Sequence, residues 1–124
     1  MIRFARLLVL LPLLWVEGAW AVDCASNSYV LSSQLEVNDL GATGCDTIRQ
    51  NLKINTESDI TNLDALANIT SIGGDLNIDN RDLTVVTGLT NLDGLVNLSS
   101  VGDNLYIYGN TGLLSIDGLA NLTS

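Results

Sequence analysis

The chain has 124 residues, no histidine, 5 basic and 14 acidic side chains, and a formal net charge of −9. Setting aside residues 1–21 removes Arg3, Arg6 and Glu17 and leaves Arg49, Lys53 and Arg81 against 13 carboxylates, a net charge of −10. Nucleic acid and anionic lipid need a basic footprint and are excluded as partners, and the remaining length allows one domain at most.

At the start of the chain, Arg3 and Arg6 precede an apolar run, Leu7 to Val16, that closes on Ala19-Trp20-Ala21. That order of charge, apolar stretch and small-x-small site reads as a secretory signal peptide over 1–21. A membrane anchor is the competing reading, but a spanning helix needs roughly 20 apolar residues and this run is about half as long. No later stretch is apolar enough to span a bilayer, so no membrane insertion is expected once the signal is removed. The chain is expected outside the cell, secreted or at the cell surface, or in the periplasm or on the outer surface if it is bacterial.

Residues 22–44 read as an N-terminal cap. Cys24 and Cys45 are the only cysteines, and an even count in an exported chain favours one disulfide between them. Two alternatives remain: a lipid-modified Cys24, which Asp23 beside it opposes, and a merely buried thiol at Cys45. Ser33-Gln-Leu-Glu36 has the order of a capping box. Val37 and Leu40 follow on one face and Gly41 supplies a stop, which predicts a short helix over 33–40.

From Leu52 the sequence repeats. Leu52-Lys-Ile-Asn returns as Leu76-Asn-Ile-Asp and as Leu105-Tyr-Ile-Tyr, and Asn62-Leu-Asp-Ala-Leu66 returns as Asn91-Leu-Asp-Gly-Leu95 and Ser115-Ile-Asp-Gly-Leu119, with spacings of 24 and 29 residues. Apolar residues fall mostly every third position: Ile60, Leu63, Leu66, Ile69 and Ile72, then Leu76 and Ile78; Leu83, Val86, Leu89, Leu92, Leu95, Leu98 and Val101, then Leu105 and Ile107; finally Leu113, Ile116, Leu119 and Leu122. Neither the 3.6-residue period of a helix nor the two-residue period of a long strand fits this spacing. A chain that turns corners around one core, with short parallel strands at the Leu-x-Ile steps, does fit it. The expectation for 45–124 is therefore an all-β solenoid, a parallel β-helix of about three coils of 24–29 residues. The longer coil gains two triads, Leu83 and Val86, which should keep inward residues inward. Ser124 aligns with Ser71 and Ser100 in mid-coil, so the chain is expected to be a piece of a longer array; otherwise an open C-terminal coil would invite end-to-end self-association.

Several repeated positions are candidates for chemistry. Asn68, Asn97 and Asn121 each begin an Asn-x-Ser/Thr sequon and are N-glycosylation candidates in a eukaryotic secretory pathway. The competing reading is an asparagine ladder that satisfies backbone groups at a corner. Asp64, Asp93 and Asp117 share another position, where turn chemistry explains them. Calcium through these residues, or through Asp79 and Asp82, lacks any recognised calcium loop, so no metal and no cofactor is expected. No nucleophile motif or phosphate loop is present. The outward positions of the Leu-x-Ile strands vary over a constant core: Lys53 and Asn55, Asn77 and Asp79, Tyr106 and Tyr108. They form a candidate partner-binding face, because exposed tyrosines are favoured contact residues.

The run Leu-Asp-x-Leu-x-Asn-Ile/Leu-Thr/Ser-Ser-Ile/Val-Gly followed by Leu-x-Ile resembles the receptor L-domain family, whose leucine-rich-like repeats occur in receptor ligand-binding lobes and in fungal and bacterial surface proteins. The resemblance covers about residues 24–124, including Ser33-Gln-Leu-Glu36 and Gly44-Cys45. It implies a right-handed β-helix with an N-terminal helix and disulfide cap, exposed outside the cell. Arg49-Gln50 departs from the pattern of Gly73-Gly74 and Gly102-Asp103 at one corner. The functional expectation is a non-catalytic binding or structural module that presents a sheet face to a protein or glycan partner. The alternative is a carbohydrate-active β-helix enzyme using paired aspartates, Asp79 and Asp82.

Overall fold

A computed structural model of the protein describes residues 21–124. Apart from Ala21, the predicted signal segment lies outside the described residues. Strand β1 (Tyr29–Leu31) leads into helix α1 (Gln34–Ala42), followed by β2 (Thr47–Ile48), β3 (Leu52–Asn55), β4 (Ser71–Ile72), β5 (Leu76–Asp79), β6 (Ser100–Val101) and β7 (Leu105–Tyr108). Single 3-10 turns at Asp64–Leu66 and Asp93–Leu95 separate the strand pairs, and a third at Asp117–Leu119 follows β7.

The strands form two parallel sheets, one ordered β1-β3-β5-β7 and the other β2-β4-β6. Their registers follow the repeat spacings of the sequence. Leu52 pairs with Leu76 and Leu76 with Leu105, while Thr47 pairs with Ser71 and Ser71 with Ser100. Equivalent residues thus lie side by side, and each apolar position meets its own counterpart in the next repeat. Ile60, Leu63, Leu66, Ile69, Ile72, Leu76, Ile78, Leu89, Leu92, Leu95 and Leu98 are all buried in one core. Each contributes roughly 1.5–3 kcal/mol through the apolar area it removes from water.

The expected all-β, right-handed parallel β-helix of about three coils is not the architecture observed. The sheets are two separate open ladders that do not close on one another, and a helix and three 3-10 turns make the chain mixed rather than all-β. The cause is local. Asn62 Oδ1 accepts from the Asp64 N–H, Asn91 Oδ1 from the Asp93 N–H, and Ser115 Oγ from the Asp117 N–H, at 3.0–3.1 Å. These side-chain turns bend the chain into the 3-10 conformation between the strands, where corners of an all-β coil were expected.

Two of the inward triads also fail. Leu83 is 57% exposed and Val86 76% exposed. Asn80, fully buried, donates through Nδ2 to the Val85 and Gly109 carbonyl oxygens and accepts from the Asp82 N–H through Oδ1. Satisfying this interior amide ties residues 81–87 into a loop at the surface and turns their apolar side chains outward. Ile116 is exposed as well, and Leu113, Leu119 and Leu122 are partly buried against the core.

At the N-terminal end, Ser33 caps α1 as its sequence predicts, with Oγ accepting from the Glu36 N–H at 3.1 Å. Glu36 Oε1 reaches back to the Ser32 N–H at 2.6 Å. The helix runs past the predicted stop at Gly41 to Ala42. Thr43 is its C-cap, with Oγ1 donating to the Leu40 carbonyl oxygen, and Gly44 (φ 73°) takes the left-handed conformation beyond it. Cys24 and Cys45, both buried, are joined in a disulfide that ties the segment before β1 to the start of β2. The corner at Arg49-Gln50 has an equally direct reason to differ from Gly73-Gly74. A Cβ at Gly73 would lie 2.2 Å from the Arg49 carbonyl oxygen, and one at Gly102 would lie 2.1 Å from that of Gly73. Glycine is needed wherever a repeat stacks this closely on its predecessor.

Candidate functional site

Along β3 and β5 the leucine and isoleucine side chains enter the core while their neighbours face outward, as extended chain requires. Strand β7 continues the register, but Leu105, expected inward, is 39% exposed and Ile107 is only partly buried. The register places Lys53, Asn77 and Tyr106 in one row across the outer face and Asn55, Asp79 and Tyr108 in the next. All six residues predicted for a binding face therefore share one side of the four-stranded sheet. Tyr106 and Tyr108 are 50% and 57% exposed. Together with Asn77, Asp79 and Arg81 they line an open groove of about 600 Å³. Lys53 and Asn55 do not line the groove. Lys53 reaches its Asp79 with Nζ, and Asn55 donates to Ser32 Oγ at 3.0 Å.

Asp79 is the electrostatic centre of the face. It is 7% exposed, and its Oδ2 accepts from Arg81 Nε at 2.9 Å and from Lys53 Nζ at 3.2 Å. Burial alone would raise its pKa, but the hydrogen bonds from Arg81 and Lys53, reinforced by their charges, outweigh that effect and hold the carboxyl below its ordinary value. Asp79 Oδ1 is buried and has no hydrogen-bond partner among the described residues, an arrangement that costs on the order of 1–3 kcal/mol. Arg81 was missed as a member of this face because it lies beyond the Leu-x-Ile-Asp strand. The available signal was parity, since a residue two places after Asp79 on extended chain returns to the same side. Its backbone N–H donates to Glu57 Oε2 at 3.2 Å, so a second carboxylate joins the cluster.

The paired aspartates of the enzyme alternative are not poised as an acid and a base. Asp82 Oδ1 accepts from the Thr84 hydroxyl and N–H, which lowers its pKa. Asp79 is also lowered. Both are ionised at neutral pH, whereas glycoside cleavage by a carboxyl pair needs one raised to serve as the acid.

The sequon asparagines are exposed. Asn97 Nδ2 donates to the Ala67 carbonyl oxygen at 2.7 Å and Asn121 Nδ2 to that of Val96 at 2.6 Å. Each side chain ties its own repeat to the one before it. Asp64, Asp93 and Asp117 open the three 3-10 turns and are exposed. Among the described residues, no helix is long and apolar enough to cross a membrane.

The sequence model of the receptor L domain matches residues 44–124. No curated protein and no solved structure matches the chain. Receptor L domains are extracellular and bind ligands without catalysing a reaction, and the Cys24–Cys45 bridge fits such an oxidising setting. With more than half of its length matched, the chain belongs to the receptor L domain family.

Proposed function

We propose that the chain is exported by the segment at 1–21 and acts outside the cell as a non-catalytic binding module. It presents the outer face of the β1-β3-β5-β7 sheet to a protein or glycan partner. The observation that carries this reading is the exposed pair Tyr106 and Tyr108, standing beside Asn77, Asp79 and Arg81 in an open groove. Aromatic rings and an arginine over a rigid sheet offer a large contact area at little conformational cost. Lys53 and Asn55 flank the groove on β3, and Lys53 holds Asp79 in place.

The test is retention of extracellular material from the producing cells on the immobilised protein. The double variant Tyr106→Ala/Tyr108→Ala serves as comparison, and retained protein and carbohydrate are identified by mass spectrometry. A partner held by the parent protein and lost from the variant is the expected result. Equal retention by the two would move the binding surface elsewhere.

A further inference from the structure

The register of β5 against β7 pairs each tyrosine with one hydrogen-bonding side chain: Asn77 lies beside Tyr106 and Asp79 beside Tyr108. The two pairs are one pleat apart, about 6.6 Å along the strand. The groove therefore repeats a single device twice, an aromatic surface next to a planar polar group. The molecule that matches it has an apolar face and hydroxyl groups recurring at similar intervals, which is the chemistry of consecutive sugar rings.

Charge narrows the ligand further. The described residues contain three basic side chains, and two of them, Lys53 and Arg81, meet Asp79, while Glu57 accepts from the Arg81 N–H. Two cations and two carboxylates cancel, leaving an electrically balanced patch on a strongly acidic protein. A polyanion would be repelled by the rest of the surface, and a cation would meet Arg81 and Lys53.

A third observation concerns Asp79 itself. Its Oδ1 is buried in the groove's lining with no donor among the described residues. With Oδ1 enclosed, Asp79 acts on the groove through its Oδ2, which holds Arg81 in place. Arg81 is anchored through Nε, and its side chain is 76% exposed, so its remaining N–H groups are available to ring and hydroxyl oxygens.

We infer that the groove binds a neutral oligosaccharide, two successive sugar rings lying against Tyr106 and Tyr108 while Asn77 and Arg81, the latter held by Asp79, exchange hydrogen bonds with their hydroxyls. This rests on the proposed binding face and names its ligand class. The probes are neutral hexasaccharides of β-1,3-glucan, β-1,4-glucan, β-1,4-linked N-acetylglucosamine and α-mannan, with oligogalacturonate as the anionic comparison, titrated calorimetrically into the full chain.

At least one neutral probe should bind, with little dependence on salt. Tyr106→Ala and Tyr108→Ala should each weaken it by about tenfold or more, and both tyrosines are exposed enough that the variants should melt like the parent. Asp79→Asn should weaken it as well, because Arg81 loses the carboxylate that positions it. Binding by none of the neutral probes, preference for oligogalacturonate, or equal affinity in the tyrosine variants would each overturn the inference. An extracellular protein partner lost from the tyrosine variants, with no sugar bound, would refute the sugar ligand and leave the binding face standing. Variants that retain every partner would refute both.

Discussion

Gly41 of α1 meets Ala65 of the first 3-10 turn backbone to backbone: a Cβ on Gly41 would stand 2.1 Å from the Ala65 carbonyl oxygen and 2.7 Å from its Cβ. This contact seats the helix against the first repeat, next to the buried Val37 and Leu40. Helix propensity alone favours alanine over glycine by about 1 kcal/mol, whereas overpacking costs about 1–3 kcal/mol. Gly41→Ala should therefore destabilise the protein, by denaturant unfolding, despite its better propensity. A stabilised variant would show that the helix is free to move away.

The disulfide closes a segment with a sequence separation of 21. Replacing Cys24 and Cys45 together by serine should cost about 3 kcal/mol on the chain-entropy estimate. The expected readout is a lower melting temperature for the double variant, matched by the parent protein under reducing conditions.

Asp79 contributes to the acid limb of the stability curve. Its folded pKa lies below the ordinary value of an aspartate, so its contribution is complete above that ordinary value and fades as pH falls through the lower folded one. Asp79→Asn should lower stability at neutral pH, where Lys53 and Arg81 lose their counter-charge, and should flatten the decline below about pH 4. Melting curves taken from pH 7 to pH 2 would show it. Parallel curves for the two proteins would mean that the pairs are not formed in solution.

Asn80 holds the loop after β5 with three hydrogen bonds from a fully buried position. Removing its amide in Asn80→Ala strands the Gly109 and Val85 carbonyls and the Asp82 N–H, at a cost of about 1–3 kcal/mol. The same change should raise amide exchange across residues 81–87, a local effect that the disulfide variant should not share.

Much of this structure was legible in the sequence wherever one residue type returns at a fixed spacing. The 24- and 29-residue recurrences are the strand registers of Leu52, Leu76 and Leu105, and residues such as Leu63, Leu92 and Leu98 are buried as the triads required. The N-cap at Ser33 and the Cys24–Cys45 bridge were readable for similar local reasons. The closed all-β architecture was not, because a period of three is shared by extended corners and 3-10 turns. What decides between them is an Asn or Ser side chain two residues before each Asp. Leu83 and Val86 misled because hydrophobicity was counted and the competing claim of Asn80 was not. The outer face was visible as variation over a constant core. The meeting of Arg81, Lys53 and Asp79 depends on side-chain reach between neighbouring strands, which spacing alone does not encode.

The extra residues of the longer repeat leave β5 and β7 in unbroken pairing, because the loop at 81–87 carries the surplus length away from the stacked strands. A segment of this kind works as an expansion joint. Sequence there can lengthen, shorten or change character beside Arg81 and the tyrosines, reshaping the rim of the groove while the leucine scaffold stays the same. Diversification of what such a surface recognises would begin at that point.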